Sequence, residues 1–154
     1  IDSAVNSFPT DCLWDLMMLP VTALMIINFE LSSPITNSFE AERTGEWETF
    51  SKLNAENGLK YYAENANKLN DIAWSMYEHT ENSSYLNSAL AMAEKATKLS
   101  ESHAIMDTYA NLLLVTGNPQ RALEVETKAL ELAKKEGSDT KSYEEVISKI
   151  NQAL

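Results

Sequence analysis

The chain has 154 residues, 23 acidic and 12 basic, for a formal net charge of −11. That length suits one domain with a real core and is too short for two large ones. The acidic excess argues against nucleic acid and anionic membrane surfaces as partners, because a polyanion is repelled before short-range contacts form. Hydrophobic residues make up 44% and charged residues 23%, ordinary for a soluble globular protein. Four Gly and four Pro are too few for a β-sandwich or barrel with many tight turns, and stretches rich in Ala, Leu, Glu, Lys and Met point to helices.

Residues 1–40 form an acidic, apolar N-terminal segment with no clear structural signature. Residues 1–50 hold eight acids against one base, Arg43. Residues 1–11 read as coil around Pro9. Residues 12–30 read as one or two buried helical pieces divided near Pro20, whose ring disfavours a continuous helix. The apolar run 16–29 is too short to cross a bilayer, which takes about 20 residues, and no basic residue precedes it as a signal peptide requires. The lone cysteine, Cys12, excludes an intramolecular disulfide and reads as an inert buried thiol. Residues 32–37, with Pro34, read as a loop.

From about residue 41 the helical signals strengthen. Residues 46–65 carry Phe50, Leu53, Leu59, Tyr62 and Ala63, and residues 67–79 carry Leu69, Ile72, Ala73, Met76 and Tyr77, both at helical spacing. A polar break at 80–84 precedes a helix over 85–99, and a second break at 100–102 precedes one over 104–115. Gly117 turns the chain, and Pro119 suits the first turn of the next helix, which runs to about Lys135 before Gly137, a left-handed C-cap. Asp139 or Thr140 can cap a last helix. Its apolar face is Tyr143, Val146, Ile147, Ile150 and Leu154.

One pattern occurs twice. Ala89 and Ala96 are seven apart, and 33 residues later Ala122 and Ala129 repeat the step. A period of this size marks a stacked helical array, a class that binds proteins or peptides more often than it catalyses. The expected fold is all-α: an α-α superhelix of helical hairpins over residues 41–154, with repeats at about 66–102 and 103–136 and a capping helix over 141–154. Ser51, Ala55 and Gly58 suggest a half-copy upstream. Ala73 to Ala89 spans four residues more than Ala110 to Ala122, so the turn of the first hairpin is expected to be four residues longer.

These residues resemble the tetratricopeptide repeat. In the second copy, Tyr109–Ala110 match that motif's large–small pair, Leu113 its next packing position, Gly117 its turn, and Ala122 and Ala129 its second-helix small sites. In the first copy, Ile72–Ala73, Met76, Ala89 and Ala96 match. Lys134 in one copy and Leu99 or Ser100 in the other stand where the family has a proline. The wording of residues 69–74 and 107–113 is similar to the helical C-terminal region of certain bacterial thioredoxin-like proteins, although the chain has no thioredoxin active-site motif. That likeness implies a bacterial periplasm or cell envelope, with the cytoplasm left open.

The family likeness implies that the first helix of each pair lines a ligand groove. Carried over, its positions are Asn67, Asn70, Trp74 and Tyr77, then Asp107, Asn111 and Leu114. Asn amides can bracket an extended peptide backbone, and Trp74 and Tyr77 can anchor it; alternatively the two rings pack on residues 12–30. Some members grip a C-terminal carboxylate with basic side chains at the places held here by Asn70 and Asp107. Asp107 would repel one, so a neutral or basic protein or peptide is expected. His79 and His103 read as solvated loop or helix-end residues outside any metal-binding spacing. Asn82-Ser83-Ser84 matches a glycosylation acceptor, a triplet common by chance. Neither a phosphate loop nor a nucleophile–base pair can be assembled, so no catalytic residue, metal or cofactor is expected. The reading is a non-catalytic peptide- or protein-binding helical repeat module. The alternative is a structural accessory domain that dimerises, or docks to and positions, a thioredoxin-like redox domain.

Overall fold

The structure is a computed structural model, and it describes residues 33–154. Cys12, the apolar run 16–29 and the expectations for residues 1–32 lie outside the described residues. Within them the fold is all-α. Its helices are α1 (Pro34–Thr44), α2 (Trp47–Tyr62), α3 (Ala66–His79), α4 (Ser83–Leu99), α5 (His103–Val115), α6 (Pro119–Glu136) and α7 (Lys141–Gln152). Neighbours in sequence pack as antiparallel hairpins, α1 with α2, α3 with α4 and α5 with α6, and α7 packs against α6. Helices α3, α5 and α7 also touch in succession, so they form one row, and α2 touches α4 in a second.

Local chemistry sets the helix ends. Asn65 accepts from the Lys68 N–H at 3.0 Å and Asn82 from the Ser84 N–H at 2.9 Å, each side chain satisfying an orphan donor of a first turn. Gly137 ends α6 at φ 73°, and the following Ser138 N–H reaches back to the Ala133 carbonyl at 2.9 Å, a Schellman closure that favours Gly.

The interior is built on small residues. Ala73, Ala89, Ala93, Ala96, Ala110, Ala122, Ala129 and Ala133 have no exposed surface. They let neighbouring axes close to about 8–10 Å. Leu69, Ile72, Met76, Met92, Leu112 and Ile150 fill the remaining space. Gly58 of α2 shows how tight the approach is: a Cβ there would lie 2.8 Å from the Met92 sulfur of α4.

Five sequence expectations change. Residues 34–37 are helix, not loop, because Pro34 sits in the first turn, where its missing N–H costs nothing, and Ser33 caps that turn through the Thr36 N–H at 3.2 Å. The first described helix therefore begins inside segment 1–40, and α1–α2 is a full hairpin where only a half-copy was expected, tied by Asn54 Nδ2 to Ser38 Oγ at 2.6 Å. The turn of α3–α4 is no longer than that of α5–α6. Three residues join each pair, 80–82 and 116–118, and the additional residues extend the helices, since Asn82 starts α4 well before Ala89. In α2 the buried side is Phe50, Ser51, Asn54 and Gly58, while Leu59 is exposed. Finally, Leu154 lies beyond α7 and is exposed, whereas Tyr143, Val146 and Ile150 cover the end of the array as expected.

Replacing Ala122 by Leu should overpack the α5–α6 contact and lower stability by roughly 1–3 kcal/mol. Glu124→Ala, on the exposed side of the same helix, should change it by less than about 0.5 kcal/mol. Urea denaturation of the two variants measures the difference.

Candidate functional site

The row of first helices brings Trp74 and Tyr77 of α3 together with Asn111 and Asp107 of α5, while Asn67, Asn70 and Leu114 lie elsewhere along the same two helices. On α3, Asn67 is exposed, and Asn70, Trp74 and Tyr77 are half-buried. The Trp74 and Tyr77 rings lie 5.1 Å apart, tilted by 34°. On α5, Asp107 and Leu114 are half-buried, and Asn111 is only 5% exposed.

A hydrogen-bond chain joins the two helices. The Tyr77 hydroxyl donates to Asn111 Oδ1 at 3.4 Å. Asn111 Nδ2 donates to the Asp107 carbonyl at 3.0 Å and to Asp107 Oδ1 at 3.1 Å. Both ends of the Asn111 amide are therefore engaged inside the protein, so Asn111 is a positioning residue and not a free bracket for a peptide backbone. It holds the Tyr77 hydroxyl and the Asp107 carboxylate in a fixed relation across α3 and α5. Asn70 differs: its Oδ1 is buried and has no hydrogen-bond partner.

Beneath Asp107 lies Glu126 of α6, fully buried. Neither Glu126 oxygen receives a hydrogen bond from a donor. Its neighbour is the Asp107 carboxylate, which also only accepts when ionised, so the contact becomes a hydrogen bond when one partner carries a proton. Burial, and then the negative charge and hydrogen bonding of Asp107, push the Glu126 carboxyl up to about 8. Burial also raises Asp107, against hydrogen bonds from Glu126 and Asn111 and the charges of His103 and Lys149, which lower it. At neutral pH the pair holds one proton, carried by Glu126, because two carboxylates in contact cannot both ionise cheaply.

Glu126 is the site residue that the sequence reading missed, and its signal was present. It falls four residues after Ala122 and three before Ala129, so it belongs to the buried stripe Ala122, Glu126, Ala129 and Ala133. The position 33 residues earlier is Ala93, also fully buried. An alanine satisfies the packing at the equivalent register of α4.

The chain of contacts continues to α7. His103, at the start of α5, shares a 2.6 Å hydrogen bond through Nδ1 with the Tyr143 hydroxyl. Its Nε2 lies 3.4 Å from Glu136 and 3.4 Å from Ser138 Oγ. With the proton on Nε2, the ring accepts from Tyr143 and donates toward Glu136. His103 is thus a structural tie between α5, α6 and α7, not a solvated end. His79 is exposed at the end of α3, where it stacks on Trp47 of α2 with centroids 3.7 Å apart. Burial, then Asp107, raises the hydroxyl pKa values of both Tyr77 and Tyr143, which keeps both protonated as donors.

Among the described residues no group of three or more His, Cys, Asp or Glu side chains could hold a metal ion. No helix among them is long and apolar enough to cross a membrane. The class defined here is an all-α protein of stacked helical hairpins with an aromatic and acidic face. Comparison with known protein families, curated proteins and solved structures finds no match to this chain.

The Glu126 shift has a direct consequence for stability. The folded state retains a proton on Glu126 that the unfolded chain loses above its ordinary value of 4.5. The contribution of Glu126 to stability should therefore be greatest below that value and fall as pH rises from about 4.5 through about 8. Thermal melts between pH 5 and pH 8.5 should show a loss of roughly 1–3 kcal/mol, and Glu126→Gln, which cannot ionise, should flatten the slope.

Proposed function

We propose that this chain is a non-catalytic helical repeat module that binds an extended peptide, neutral or basic, along the face shared by α3 and α5. The observation that carries this reading is the pairing of two half-buried aromatic rings, Trp74 and Tyr77, with the half-buried carboxylate of Asp107 on the next helix. Rigid aromatic rings supply contact area at low entropic cost, and a single fixed polar group orients the ligand. The likeness of the small-residue register to tetratricopeptide repeats agrees with this reading, because such arrays present first-helix side chains to their ligands. Asn67, Asn70, Trp74, Tyr77, Asp107 and Leu114 would form the contact surface, with Asn111 holding two of them in place. The acidic bias, −11 overall, disfavours an acidic peptide. The accessory-domain alternative draws on residues 1–40, most of which lie outside the described residues.

Selection of random dodecapeptides on the immobilised protein, followed by titration of the enriched sequences, tests the assignment. Trp74→Ala should weaken the enriched peptides about tenfold or more and leave the helical circular dichroism unchanged. Equal affinity for Trp74→Ala and for the unmodified protein would place the binding surface elsewhere.

A further inference from the structure

Behind the α3–α5 face, α6 buries an acid at a register position where α4 has an alanine. Glu126 is fully buried with both oxygens lacking a donor, at a register position where α4 has Ala93. The residue above it, Asp107, is half-buried, with Oδ1 held by Asn111 at 3.1 Å. The corresponding position on α3 is Asn70, so the same place in the first repeat pairs a neutral amide with an alanine. The second repeat pairs two carboxyl groups. Basic groups are close without neutralising the pair. Lys149 of α7 and His103 of α5 bear on Asp107 only at a distance, and among the described residues neither acid forms an ion pair with a Lys or Arg.

Resting on the peptide-binding reading above, we propose that Asp107 and Glu126 form a subsite for one cationic side chain of the bound peptide, an arginine guanidinium or a lysine ammonium. Its alkyl stem would lie on the Tyr77 and Trp74 side, since Tyr77 is linked to Asp107 through Asn111. Two carboxyl groups with no third ligand suit an organic cation, which brings its own donors, better than a divalent metal, which takes six or more oxygens or a closed set of four ligands. A guanidinium is the best match, because its planar fork donates to carboxylate oxygens and is weakly hydrated.

Occupation has a proton signature. The incoming cation meets Asp107, and its charge favours the ionised form of Glu126 below. Glu126 gives up its proton to solvent, and the site passes from one negative charge to two as it gains one positive charge. The groups facing the pair are His103 and Asn111 on α5, Tyr143 and Lys149 on α7, and Tyr77 on α3. Both tyrosine hydroxyls stay protonated, so Glu126 is the source of the released proton.

The test uses two blocked pentapeptides, acetyl-Ala-Ala-Arg-Ala-Ala-amide and its citrulline analogue, which has the same shape without the charge, together with free N-butylguanidinium. Binding is followed by amide chemical shifts, and by calorimetry at pH 7 in two buffers of different ionisation enthalpy. The arginine peptide should bind at least about tenfold more tightly than the citrulline peptide, shift Asp107 and Glu126, and release up to about one proton. Glu126→Gln should bind it more weakly and without proton release. Asp107→Asn, which keeps the shape of this half-buried side chain, should remove the preference for charge while both peptides still shift Trp74 and Tyr77. Equal affinities with shifts at Trp74 and Tyr77 would overturn the cationic subsite and leave the peptide face standing. Absence of shifts on the face with either peptide would overturn both. Butylguanidinium binding as tightly as the arginine peptide would overturn the peptide as the source of the cation.

Discussion

The close approach of helices at alanine positions is the constraint on which the rest of the structure depends. Ala110 on α5 and Ala122, Ala129 and Ala133 on α6 are fully buried, and the last two pack with Tyr143 of α7 and Met106 of α5. Contacts of this kind recur at Ala73, Ala89 and Ala96, so the hairpins stack in a regular way. The same closeness seals whatever shares the stripe. Glu126 lies between Ala122 and Ala129 on the buried side of α6, and it has no exposed surface. Packing geometry therefore produces the electrostatics of the site: an acid pushed up to about 8 by the helices around it and by Asp107.

That arrangement also explains why the polar groups of the face are so fully tied together. Tyr77, Asn111 and Asp107 form one connected chain, and His103, Tyr143, Glu136 and Ser138 form another. Each spans at least two helices. In a low-dielectric setting connected polar groups hold one another in a single geometry, whereas unpaired ones are costly. Among the described residues, Asn70 Oδ1, Ser51 Oγ and the Glu126 oxygens are the buried side-chain atoms without partners. Of these only Glu126 carries a chargeable group, so a ligand's charge acts most strongly there.

Much of the fold was legible because its signals are local. Ala89, Ala96, Ala122 and Ala129 gave the register, Pro119 and Gly137 marked the limits of α6, and Tyr143, Val146 and Ile150 defined the buried side of the last helix. The errors fall where small or polar residues do the work of large apolar ones. Leu59 looked like core, yet α2 buries Ser51, Asn54 and Gly58 instead, because Met92 needs the space beside Gly58. Pro34 looked like a loop residue and is the first turn of α1. The added length between Ala73 and Ala89 looked like a longer turn, but Asn82 capped it into helix. At the site, residue choice was legible and residue state was not. Asn111 is at the expected place but is consumed by internal hydrogen bonds, and the charge state of Asp107 depends on Glu126, which comes from a different helix.

The protonation of Glu126 is the most direct point at which to test the account, since it joins the packing of α5 against α6 to the chemistry of the face. Carbon-13 labelling of the glutamate side chains allows the Glu126 carboxyl shift to be followed from pH 3 to pH 10. A midpoint near 8, as burial against Asp107 requires, with the shift of a protonated acid at pH 6.5, is the predicted result. A midpoint near the ordinary glutamate value of 4.5 would contradict the account, because it would mean that water reaches the carboxyl group and that the two acids are not held together.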